Sequence, residues 1–434
     1  MTAEVSSLHG NKITPVLFQQ PAKMATFSNM ISVFFLVLFV SFASSNPTMA
    51  DTQNELSQSI NHFSQDFYKV TSKLPENAGK NLIMSPLSAE IVLAMLSLGS
   101  EGETLKELNT ALYLPNSDFT RAAFKPAIAR LNSIKGVTLN VANKVFVKEG
   151  DKYVLAPAFK KDTIDVFSSE AENVDFGKNV AAAALINNWV EDKTNKRIKD
   201  LISSDDLSDD TRLVLINAIY FKGSWKDKFD ASLTKKKDFF ITATDKKPVD
   251  MMHKTAKFNY AENSELDAKI LELPYKDNEM SMVIILPNQV DGLAALEEKL
   301  SQKSTDLKSL VQNLYQAEVT VALPKFRIES TIDLNEVLPK LGMSRIFDGR
   351  AELGGLLAND EPLVVSKAIQ KAFIEVNEEG AEAAAATGVI MMLGCSPMSR
   401  PPRRLTFKAD HPFGFFLINR YDGSIVFSGV VRIL

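Results

Sequence analysis

The sequence predicts an α+β chain folded as one large unit. Helical periodicity dominates early and strand-like runs dominate late, without the regular strand–helix alternation of a doubly wound parallel fold. No internal repeat and no Pro/Gly-rich linker divides the 434 residues, although length alone suggests two or three domains. Apolar residues at 45% and charged residues at 24% are ordinary globular values, enough to build a core and too apolar for a disordered chain.

The first segment reads as an address. Ile31–Phe42 (ISVFFLVLFVSF) is apolar but shorter than the roughly 20 residues a membrane helix needs. Small residues follow at Ala43, Ser44, Ser45 and Ala50, the pattern of a signal peptide and its cleavage site. Cleavage after Ser45 or after Ala50 fits, Met24 is an alternative start to Met1, and a signal anchor is the alternative reading. The expectation is a leader over 1–50, a domain over 51–434, and a secreted, extracellular product with no membrane contact after cleavage. Removing Lys12, Lys23 and Glu4 with the leader changes the net charge from −4 to −5. The only Asn-x-Ser/Thr site, Asn46-Pro-Thr48, is blocked by its proline.

Along the body, Leu56, Ile60, Phe63, Phe67 and Val70 fall on one helical face. Asn81–Gly99 predicts a turn at Ser85-Pro86, a helix apolar all round, and a stop at Gly99. Thr104–Leu112 and Phe119–Leu131 are amphipathic helices, and Ala181–Ile202 contains another with Ile186, Trp189 and Val190 inward. Val137, Leu139 and Val141 alternate as a half-buried strand does. Leu213–Phe221 and Met282–Leu286 are continuous apolar runs, typical of strands covered on both faces. Val319, Val321 and Leu323 alternate, as do Ile374 and Val376. Phe415–Ile418 and Ile425–Val431 close the chain as two strands joined by a turn at Tyr421–Ser424.

The chemistry this sequence lacks is informative. It has no nucleophile elbow, phosphate loop, dinucleotide fingerprint or HExxH, so enzyme and metal readings lose their usual anchors. The single cysteine, Cys395, excludes an internal disulfide and reads as a free surface thiol; pairing it with His411 leaves no orienting carboxamide. The acidic balance argues against nucleic acid. Lys235-Lys236-Lys237 and Arg403-Arg404 read as solvated basic clusters.

One stretch fits no core element. Glu375–Gly388 (EVNEEGAEAAAATG) joins small residues between Gly380 and Gly388, and an apolar then proline-rich run follows. Apolar residues on an exposed loop usually mark a binding site. Ala381, Ala383, Ala385 and Thr387 alternate, so they can face into a packed sheet while Glu382 stays in solvent; anything larger would overpack.

This segment, NLIMSPLSAEIVLAMLSLG, LINAIYFKGSW, ALPKF and FKADHPFGF occur in order, and over roughly 51–434 the chain resembles the serpin family, in texture the insect antitrypsin-like members. The resemblance implies three β-sheets, eight or nine helices and an exposed reactive loop at about 378–406. It implies a serine protease inhibitor, not an enzyme, that needs no cofactor or metal. A target serine protease, the expected partner of a monomer, would cleave the loop and be trapped as a covalent acyl complex when the loop inserts into the sheet. The hinge would comprise Glu378, Gly380, Ala381, Ala383, Ala385 and Thr387. Ser85, Asn217, Trp225, Lys325 and Gln370 would form the breach and shutter. Gln370 stands where many vertebrate members have histidine; its amide can bond Asn217, and Glu378 can pair with Lys325. A non-inhibitory carrier, chaperone or storage protein is the alternative, disfavoured by the small-residue hinge.

Two counts locate the reactive bond. Forward from Gly380 the family's loop length gives Gly394-Cys395; backward from Phe407 gives Met398-Ser399, where MSRPP resembles the antitrypsin loop MSIPP. Both favour an elastase- or chymotrypsin-like target, with a trypsin-like target at Arg403 or Arg404 as the runner-up. Arg121, Lys125 and Arg130 make a weak polyanion site, so heparin-like acceleration is not expected.

Overall fold

The computed structural model of the chain describes residues 48–359, 361–380 and 405–434. The leader expected at 1–50 therefore lies almost wholly outside it. The first helix, Met49–Ser72, buries Leu56, Ile60, Phe63 and Phe67. It begins one residue before Ala50, so cleavage after Ser45 would leave it whole, whereas cleavage after Ala50 would remove its first residues.

Fourteen strands are described: β1 (Leu82–Met84), β2 (Val137–Lys148), β3 (Glu170–Val174), β4 (Leu213–Gly223), β5 (Lys235–Phe240), β6 (Lys246–Asn263), β7 (Ala268–Pro274), β8 (Met280–Pro287), β9 (Tyr315–Pro324), β10 (Phe326–Asp333), β11 (Val365–Val376), β12 (Leu405–Lys408), β13 (Phe413–Asn419) and β14 (Ile425–Val431). Nine α-helices accompany them among the described residues. The fold is α+β. By hydrogen bonding the strands make a five-stranded sheet, β10-β11-β4-β2-β3, and a nine-stranded one, β1-β14-β13-β8-β7-β6-β9-β12, with β5 on β6. Three sheets were expected. Two of them are continuous here because the 18-residue β6 pairs in turn with β5 over Lys246–Met251, with β9 over Met251–Tyr260 and with β7 over Asn259–Asn263.

The five-stranded sheet explains the apolar run in β4. Leu213, Leu215, Ile219 and Phe221 face the main core, while Val214, Ile216, Ala218 and Tyr220 face a second core under the Asn179–Lys193 helix. Ile186 and Val190 of that helix are fully buried; Trp189 is half-buried, edge-on to Phe146. Each such aliphatic side chain contributes about 1.5–3 kcal/mol when withdrawn from water. On the main-core side lies the Pro86–Ser97 helix, all of whose residues are buried, packed against β2, β4 and β14. Pro86 opens its first turn, where no donor is lost, and the Ser85 hydroxyl accepts from the Ser88 amide at 3.2 Å. Gly99 follows because a Cβ there would lie 2.3 Å from the Leu356 side chain.

Within the sheet β11 and β4 run parallel, in register from Val365 opposite Leu213 to Phe373 opposite Tyr220. Both strands continue three residues beyond that last pair, unpaired to each other.

Candidate functional site

Where β4 and β11 part, the chain leaving β11 reverses. Asn377 and Gly380 exchange backbone hydrogen bonds at 3.2 and 3.1 Å, and the Asn377 carboxamide accepts from the Glu379 amide. Gly380 has φ +110° and pairs antiparallel with Ser224, the residue after β4. A Cβ at Gly380 would lie 2.2 Å from the Gly223 carbonyl oxygen, so no other residue fits.

Three groups anchor this turn. The Trp225 amide donates to the Glu379 carbonyl and its indole N–H to the Asn377 carbonyl, each at 2.9 Å. The indole stacks on Tyr275, centroids 4.6 Å apart, which fixes its aim. The Phe229 amide donates to the Glu378 carbonyl at 2.9 Å. Glu378 itself accepts from the Thr234 hydroxyl at 2.8 Å and meets the Lys325 ammonium at 3.0 Å. Burial would raise its pKa, yet its own backbone N–H, Thr234 and Lys325 together hold it below the usual carboxylate range. Lys228 pairs with Glu379.

Deeper along the same strands lies a polar cluster in an otherwise apolar core. The Gln370 carboxamide accepts from the Ser85 amide and donates to the Ser85 carbonyl, both at 2.9 Å. Across the seam it donates to the Asn217 carboxamide oxygen at 2.6 Å. Asn217 donates in turn to the Ser88 hydroxyl at 2.6 Å and to Asn143, whose own amide donates to the Ser88 carbonyl. Ser85 closes the set by donating to the Val426 carbonyl at 2.7 Å. All five residues are buried, and none is titratable in the ordinary range.

Of the residues singled out by sequence, the structure gathers Glu378, Gly380, Trp225 and Lys325 at the loop root and Ser85, Asn217 and Gln370 beneath the sheet. Ser88 and Asn143 were missed. Asn143 carries no marker in the sequence beyond being polar within an apolar strand, whereas Ser88 lies one helical turn from the cap. Ala381, Ala383, Ala385, Thr387 and the reactive-bond candidates Gly394, Cys395, Met398 and Ser399 lie outside the described residues. In the helix Ser117–Ser133, Arg121 pairs with Asp162 at 2.9 Å and Arg130 lies over the Tyr421 ring at 3.5 Å. Both basic groups are thus committed within the fold.

A family model described as "Serpin (serine protease inhibitor)" matches residues 58–433. Antichymotrypsin-2 of Bombyx mori is 44% identical over 360 residues, 83% of this chain and 94% of that protein. Antitrypsin of the same organism is 41% identical over 395 residues, 91% and 98% of the two chains. The crystal structure of Serpin48 from Tenebrio molitor superposes with a TM-score of 0.78 at 37% identity, covering 88% of this chain and 98% of its own.

Proposed function

We propose that this chain, a member of the serpin family, is a secreted, monomeric suicide inhibitor of an elastase- or chymotrypsin-like serine protease. The protease serine attacks the carbonyl of the reactive bond, at Gly394-Cys395 or Met398-Ser399, and forms an ester while the new amine leaves. The freed segment from Ala381 onward then enters between β11 and β4. The observation that carries this reading is the tight turn at Asn377–Gly380. It reverses the chain just where those parallel strands part, so an entering strand starts antiparallel to both. The alternating Ala381, Ala383, Ala385 and Thr387 suit the packed interior. Insertion satisfies a row of backbone donors and acceptors, so the uncut chain is held by a kinetic barrier.

The test is incubation with chymotrypsin-like, elastase-like, trypsin-like and subtilisin-like proteases followed by a denaturing gel. A complex that survives denaturation is expected with at least one, and its released peptide identifies the bond. No surviving complex with any of them overturns the reading; a new N-terminus at Arg404 or Leu405 overturns the bond assignment.

A further inference from the structure

The two strands that flank the seam do not keep step to its end. In β4 the apolar residues facing the main core are odd-numbered throughout, from Phe221 down to Leu213. In β11 they are even-numbered from Val376 down to Ala368, yet the next is Val365. Residues two apart share a face, so β11 slips by one residue in between. The register shows the slip: Lys367 lies opposite Val214 and Val365 opposite Leu213, which leaves Ser366 without a partner strand residue. Such a bulge is rare between parallel strands, and bulges serve to end a pairing or to re-aim a side chain.

Ser366 is held from both sides. The amide of Arg212, one residue before β4, donates to its hydroxyl at 2.9 Å. On the other side β10 has already ended, its last pair being Asp333 with Ile369, and the Asn335 carboxamide takes its place. It donates to the Ser366 carbonyl at 3.2 Å and accepts from the Ala368 amide at 2.7 Å. Next to it, Lys367 meets Asp333 at 2.9 Å. The Asn335 and Asp333 contacts lie on the β10 side, so parting β11 from β4 leaves them, and the bulge, in place. The Arg212–Ser366 bond does cross the seam.

Resting on the insertion reading above, we propose that Ser366 is a positioning residue of the inhibitory reaction, a brake on the last step of strand entry. An entering strand lies antiparallel to both β11 and β4 and must match both. Those two agree from Phe373–Tyr220 to Lys367–Val214, so a regular strand pairs with both that far. One residue further it can keep step with Leu213 or with Val365, not with both, and a one-residue slip turns its side chains to the wrong face. Completion therefore waits until the Arg212 amide leaves the Ser366 hydroxyl and the bulge gives way. Before cleavage the same bond keeps the sheet shut at the end opposite Gly380.

The experiment follows entry at both ends of the seam by tryptophan fluorescence, after rapid mixing with a saturating protease that the wild type traps. Trp225 reports the Gly380 end, where entry starts. Asp210→Trp, at a side chain 99% exposed and two residues before Arg212, reports the foot. The trace of Asp210→Trp is expected to show an early phase shared with wild type and a later one of its own. In that background Ser366→Ala removes the tie and speeds the later phase about two- to tenfold, the worth of one hydrogen bond, with the early phase unchanged. Ser366→Thr keeps the hydroxyl and restores the slower rate. Should Ser366→Ala not fold, Asn335→Ala carries the test, because it frees the bulge from the other side and speeds the same phase. A foot that changes in one phase with Trp225, or a later phase unmoved by Ser366→Ala, overturns the proposal and makes the bulge only the end of β11. A wild type that every protease cleaves and none is trapped by overturns the insertion reading itself, before either tryptophan is read, and the proposal falls with it.

Discussion

Replacing Gln370 by methionine, of similar volume but without a carboxamide, tests what holds β11 against β4. The native side chain makes three hydrogen bonds in a site of 0% exposure, two to the Ser85 backbone and one across the seam to Asn217. The substitution orphans two buried polar groups, the Ser85 amide and the Asn217 carboxamide oxygen, while the Ser85 carbonyl keeps its bond from the Ala89 amide; at about 1–3 kcal/mol for each orphan the loss is about 2–6 kcal/mol. That is a large share of the ~5–15 kcal/mol typical of a domain. Opening the seam is a smaller event. It parts Gln370 from Asn217, while the Ser85 amide is orphaned in the closed and the open state alike and cancels. Only the cross-seam bond distinguishes the two, at about 1–1.5 kcal/mol net, which is about tenfold in rate. The assay is therefore double. Denaturant unfolding reads the first quantity; the half-life of inhibitory activity at one elevated temperature, followed on native gels, reads the second. A lower unfolding midpoint with an unchanged half-life refutes the latch and leaves Gln370 as a packing residue.

Three further outcomes are expected. Glu90 lies in the middle of the buried helix with one carboxylate oxygen unpartnered, and burial holds its pKa well above the usual range. A group raised on folding costs nothing below its unfolded pKa of about 4.3 and progressively more as pH rises above it. Glu90→Met, which leaves the Ser59 hydroxyl its 2.6 Å bond to the Leu112 carbonyl, should raise the unfolding midpoint at pH 8 more than at pH 4.5; equal gains refute the argument. Glu378 has the opposite sign: its depressed pKa gives stability present above about pH 4.3 and lost as pH falls through the folded value. Protection of the Trp225 and Phe229 amides against hydrogen exchange, relative to their intrinsic rates at each pH, should therefore fall on acidification, and at higher pH in Lys325→Ala; an onset unmoved by that substitution counts against the ion pair. Finally, Ala381→Arg should turn the inhibitor into a substrate without altering native stability, because the guanidinium is buried unpaired only on insertion, at a cost of several kcal/mol. An unchanged ratio of cleaved chain to complex removes insertion from the mechanism.

Elements with strong periodicity or unbroken apolar character were legible in the sequence: the Met49–Ser72 and Pro86–Ser97 helices, β4, β8 and β14. The Lys325–Glu378 and Gln370–Asn217 contacts could be anticipated only once motifs far apart in the chain were read as parts of one fold. The strands β5, β6 and β7 went unread. In β6 the outward positions carry Thr255 and Lys257 and the inward ones Met252, Phe258 and Tyr260. The lysines interspersed along it dilute that alternation into what looks like a surface segment. Asn143 was illegible for another reason. Its burial is decided by Ser88 and Asn217, 55 and 74 residues away, and no local pattern records such a meeting.

The parallel ladder between β11 and β4 also sets a direction and a length. A chain entering at the Gly380 turn can advance only from the Phe373–Tyr220 end toward the Val365–Leu213 end, exchanging one ladder for two antiparallel ones as it goes, the slightly stronger kind of pairing. Each residue gained moves cargo attached further along the chain by roughly 3.3 Å, so a run along the 12 residues of β11 is a stroke of about 40 Å. On the proposed mechanism the seam would be a one-way track whose travel, about the width of a protease, is set by the length of β11.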